Sequence, residues 1–84
     1  MRLYKIEWSG VAYAVAEDEA GAVKAARDGL REYGEHPAGV ECSARPVRAG
    51  EAVPEFWRAG LPFSERGVPD RTTAEWRDEI PAEG

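Results

Sequence analysis

The stretch Leu-Tyr-Lys-Ile-Glu-Trp-Ser-Gly-Val-Ala-Tyr-Ala-Val-Ala over residues 3–16 limits the folds open to this chain more than any other feature. Two β-rich runs flank Ser9-Gly10, a pair suited to a two-residue hairpin turn. Such a turn sets Trp8 opposite Val11, Ile6 opposite Tyr13 and Tyr4 opposite Val15, so these large side chains share one face and one helix can cover them. A single long strand with a bulge at Ser9-Gly10 buries the same residues. The hairpin is preferred because the facing-pair arithmetic closes at every position.

The covering helix is read over residues 20–33, where Ala22, Val23, Ala26, Leu30 and Tyr33 form one apolar stripe and Lys24, Arg27, Asp28, Arg31 and Glu32 are left to solvent. Asp18 is the expected N-cap and Gly34 the residue just past the end. Gly21 and Gly29 each weaken the helix by about 1 kcal/mol relative to Ala, so packing on the sheet must hold it. A third strand is read over residues 40–47, with Val40, Cys42 and Ala44 inward and Glu41, Ser43 and Arg45 outward. Pro46 cannot donate to a ladder, so that strand either lies at an edge or ends its pairing there. Placing it beside the first strand keeps all neighbours antiparallel. The expected fold is therefore α+β: a three-stranded antiparallel sheet of order 2-1-3, half of a ferredoxin-like sheet, with one main helix.

Residues 1–48 form this ββαβ core, and residues 49–84 an irregular tail holding Pro54, Pro62, Pro69 and Pro81. Short helices are expected at 53–59 and at 73–80, the second opened by the capping box Thr72 to Glu75. Leu61-Pro62-Phe63 is a candidate clasp, and residues 64–71 a loop. The tail is expected to pack on the reverse face of the hairpin, with Leu3, Ala12, Ala14 and Ala16, so that core and tail make one domain.

Eighty-four residues leave room for one core. The formal charge of −5 argues against direct nucleic-acid binding, which needs Lys and Arg to displace phosphate counterions. It suits a protein partner with a basic groove, or plain solubility. Residues 49–84 carry most of it, with eight Asp/Glu against four Lys/Arg. A single cysteine, Cys42, and the lack of a secretory or membrane-spanning pattern point to a cytoplasmic setting, and a monomer is expected.

No catalytic, metal or cofactor motif stands out. His36 is a lone imidazole in a Gly/Pro loop, Cys42 has no base near it in sequence, and the glycines match no phosphate-binding fingerprint. Glu17-Asp18-Glu19 is best read as a helix start. Two features remain as candidate partner-binding groups. Glu75, Asp78 and Glu79, at i, i+3 and i+4, project from one helix face as an array able to occupy a Lys/Arg groove in place of phosphates. Trp57, within the apolar set Phe56, Trp57, Leu61, Phe63 and Trp76, is the expected hot spot of a protein interface if it stands exposed.

The strand-strand-helix-strand layout with its Pro- and Trp-bearing tail contains Leu3-Tyr4-Lys5-Ile6, Ala14-Val15-Ala16-Glu17-Asp18-Glu19-Ala20 and Leu61-Pro62-Phe63. It resembles the small accessory proteins of phages and prophages, among them anti-CRISPR inhibitors, particularly those directed at type I-C systems. The resemblance covers residues 1–63 and carries over no functional residue. It implies a non-enzymatic stoichiometric inhibitor that binds a CRISPR surveillance complex through an acidic surface, as a DNA mimic, and blocks target DNA. The alternative is a structural or regulatory accessory subunit of a phage or bacterial assembly, bound through an apolar patch. An enzyme would need a cleft with a perturbed carboxylate or thiol.

Overall fold

A computed structural model describes residues 1–8, 10–32, 42–64 and 71–81. In chain order the elements are β1 (Arg2–Glu7), β2 (Val11–Ala16), α1 (Glu19–Glu32), β3 (Ser43–Pro46), α2 (Glu55–Arg58), β4 (Phe63–Ser64) and α3 (Thr73–Asp78). The sheet runs β3-β1-β2-β4. Its first three strands have the expected order, and both pairs made by β1 are antiparallel. Antiparallel pairing of β1 with β2 excludes the bulged single strand.

The register corrects the facing pairs. Tyr4 lies opposite Ala14, Ile6 opposite Ala12, Leu3 opposite Val15 and Lys5 opposite Tyr13. The connection between Glu7 and Val11 thus spans three positions, with the Trp8 amide donating to the Gly10 carbonyl at 3.1 Å. A one-residue slip turns every side chain of β2 to the other face. Tyr4, Ile6 and Trp8 lie beneath α1 as expected, but Ala12, Ala14 and Ala16 join them there, while Val11, Tyr13 and Val15 face the tail with Leu3. The physical reason is that the sheet has two faces to bury. Alanines of β2 meet Ala22, Ala25 and Ala26 of α1, which lets helix and sheet approach closely. The larger Leu3, Tyr13 and Val15 meet Val47, which follows β3, and Val53, Trp57, Trp76 and Ile80 of the tail.

Helix α1 begins where Asp18 caps it, its Oδ1 accepting from the Gly21 amide at 2.7 Å. Its buried residues are Ala22, Ala25, Ala26 and Leu30, with Val23 only half-buried. The expected Tyr33 and Gly34 lie outside the described residues, as do His36, Val40 and Glu41. Cys42, just before β3, and Ala44 within it pack toward α1 as the alternation predicts, and the strand is an edge.

A second correction concerns the clasp. Phe63 and Ser64 form a fourth strand, parallel to β2 beside Ala14 and Val15, so the sheet is mixed and four-stranded rather than three-stranded antiparallel. The driving contact is visible at Gly29, where an added Cβ would come within 2.3 Å of the Phe63 ring. The ring therefore lies directly against the α1 backbone. Pairing with β2 also covers a sheet edge that would otherwise present unpaired amides.

The tail is pinned by specific bonds. A turn over Arg48 to Glu51 (amide to carbonyl, 3.1 Å) requires Gly50 at φ 73°, a conformation that L side chains rarely adopt. Arg45 reaches across to Glu51 in a two-pronged contact of 2.7 and 3.0 Å. Helix α2 is shorter than the expected 53–59, starting after Pro54. Helix α3 opens on the expected capping box and closes at Glu79 rather than continuing to Ile80. Buried Thr73 donates both its amide (2.9 Å) and its hydroxyl (3.0 Å) to the Gly60 carbonyl, tying α3 to the end of α2.

Candidate interaction surface

The Pro54 carbonyl accepts from the amides of Trp57 at 2.8 Å and Arg58 at 3.1 Å, which sets the single turn of α2. Arg58 Nε returns to the carbonyl of buried Val53 at 3.1 Å. Consecutive residues on a helix point about 100° apart, so Phe56 and Trp57 leave α2 in different directions. Trp57 turns in and is half-buried, touching the apolar clusters on both faces of the sheet. Its ring meets Tyr13 edge-on at 5.6 Å and Phe63 at 5.7 Å. Phe56 turns out and is 87% exposed, its ring standing perpendicular to Trp57 at 6.2 Å. Leu61, at 45% exposed, lies on the same rim.

Between this rim and the β1–β2 connection runs a groove of about 730 Å³, walled by Trp8, Val11, Leu30, Trp57 and Phe63. None of the described residues lining it is charged. Apolar surface of this kind binds apolar groups.

The tail carboxylates are arranged differently from the expected free array. All three are exposed, but each has local work. Glu75 Oε1 accepts from the Thr72 amide at 3.0 Å to complete the capping box. Asp78 pairs with Arg77 at 3.0 Å, and Glu79 pairs with Arg71, whose guanidinium lies 4.7 Å from the centre of the Trp76 ring. Arg77 also donates to the Glu51 carbonyl at 3.3 Å, so the acidic helix is interleaved with cations.

Titratable chemistry on the tail face centres on Tyr13, Arg45 and Glu51. Burial pushes the Tyr13 phenol above its ordinary value, with the Glu51 charge adding to the effect. Its hydroxyl has no hydrogen-bond partner among the described residues. The Arg45 hydrogen bonds hold Glu51 below the usual carboxylate range, against the opposing effect of its partial burial. This is a pinned ion pair, used to hold the 48–53 turn on the sheet. Cys42 is half-buried at the edge strand, and Asp18 serves as a cap. Among the described residues no three His, Cys, Asp or Glu are placed to hold a metal, and no helix is long and apolar enough to cross a membrane.

Sequence reasoning singled out Trp57 from the apolar set, whereas the exposed ring is its neighbour Phe56. The signal available was the helical offset, which sets the two rings in different directions. It does not say which of them is left in water, because that depends on how the tail meets β2. Searches against protein-family models, curated proteins and solved structures return no match to this chain, so what it does is argued from this surface.

Proposed function

We propose that the chain is a non-enzymatic cytoplasmic protein-interaction module, an accessory subunit that docks through the apolar groove beside Phe56. The observation that carries this reading is the 87% exposure of Phe56 on the rim of an uncharged groove. A phenyl ring held in water by a short, well-anchored helix is the residue type and placement expected of a contact anchor. Because the contact is apolar, it persists at high salt. The test is cross-linked co-purification of the tagged chain from its host with a high-salt wash, comparing the native sequence with Phe56→Asp. A species retained by the native chain and lost from the variant supports the reading. Equal recovery by both overturns it.

The acidic tail supports a second reading, anti-CRISPR inhibition. Glu75, Asp78 and Glu79 remain exposed on α3 while serving their local partners. In that reading they meet a basic groove of a type I-C surveillance complex and displace target DNA. A gel-shift assay with that complex decides it. Inhibition by the native chain that weakens several-fold with added salt, and on changing all three residues to Lys, supports it; absence of inhibition rejects it.

A further inference from the structure

We propose that the occupant of the Phe56 groove is a second copy of this chain, docked about a two-fold axis so that each Phe56 enters the other's groove; this rests on the reading of that groove as the contact surface. A two-fold interface needs one patch that is complementary to itself. Here an apolar projection, Phe56, and an apolar recess walled by Trp8, Val11, Trp57 and Phe63 lie side by side on the same surface. A patch with only the projection, or only the recess, would call for a different partner.

Charge complements this arrangement. Glu55 and Arg58 bracket Phe56 and Trp57 on α2, both exposed, one of each sign. Under a two-fold rotation the Glu55 of one copy can approach the Arg58 of the other, an arrangement that repeats at both ends of the contact. A uniformly basic partner would satisfy Glu55 and be repelled by Arg58. The net charge of −5 opposes self-association only through interactions that physiological salt screens beyond about 8 Å. The small core adds a motive, since an 84-residue domain without a disulfide gains from having a partner cover the exposed Phe56 ring.

Analytical ultracentrifugation of the full chain at rising concentration tests the proposal. The expected result is a mass that climbs from 9.2 kDa toward twice that value, with Phe56→Asp remaining at the lower mass at all concentrations. Phe56 is already in water, so this variant should retain the native circular dichroism. Glu55→Arg, which leaves the Arg58 bond to the Val53 carbonyl in place, should weaken self-association at least about tenfold, and most at low salt, which a merely sticky patch would not show. A native chain that stays monomeric up to about 0.5 mM overturns the dimer. If Phe56→Asp nevertheless loses a host partner in the co-purification, the groove reading stands and only its occupant is wrong; if it loses none, both fail.

Discussion

Two residues show how a local rule is overridden by its neighbour. Helix propensity says that Gly29→Ala should stabilise α1 by about 1 kcal/mol. The Phe63 ring occupies the space that the new methyl needs, within 2.3 Å, and overpacking of this kind costs about 1–3 kcal/mol. Gly29→Ala is therefore expected to lower the denaturation midpoint, and to do so less when combined with Phe63→Ala; thermal or urea melts of the four-member cycle measure the coupling. Tyr13 is the other case. Its phenol is kept protonated above the ordinary value by burial, so its contribution is complete below the unfolded value near 10 and is lost as pH rises through the raised folded value. Tyr13→Phe removes that alkaline loss and a buried hydroxyl without a described partner. It should leave neutral-pH stability unchanged or raise it by up to about 1 kcal/mol, as read from melts at neutral and alkaline pH. Glu51 runs the opposite way. Held below 4.5 by Arg45, it adds stability above that value that disappears as pH falls through its lowered one, and Glu51→Gln should flatten the acid limb of the pH–stability curve.

At the scale of elements, what could be read from the chain was whatever local chemistry decides. Asp18 at the start of α1 and the Thr72–Glu75 box at the start of α3 are set by side chains within three residues of one another, and both are in place. Thr72→Ala should cost about 1 kcal/mol and loosen α3, seen as faster amide exchange around Trp76. The β1–β2 register was not legible, because the choice between a two- and a three-position connection hangs on what covers each face of the sheet. Six large residues on one face satisfied the pattern for a single helix. The tail needed a face of its own, and the slip that moves Tyr13 and Val15 to it cannot be deduced from residues 3–16 alone. β4 was hidden for a similar reason: two residues carry no alternation, and Phe63 is fixed by a glycine more than thirty positions away. The same dependence on distant packing decided that Phe56, rather than Trp57, is left in water.

On the scale of the molecule, the sheet is the middle of three layers, with α1 on one side and the tail on the other. Residues 1–48 are consequently not self-sufficient. Without Val53, Trp57, Trp76 and Ile80, the face bearing Leu3, Tyr13 and Val15 would be open to solvent, and a chain ending at residue 48 should show no cooperative melt and poor amide dispersion by NMR. The layers are also joined through one side chain, since the Trp57 indole touches the apolar cluster on each side of the sheet while carrying the Phe56 ring on its outer edge. With Trp8 and Trp76 replaced by Phe, its ultraviolet emission becomes a built-in gauge: a molecule settling on Phe56 shifts the colour of that single fluorophore, and thermal melting of either layer quenches it at one common temperature.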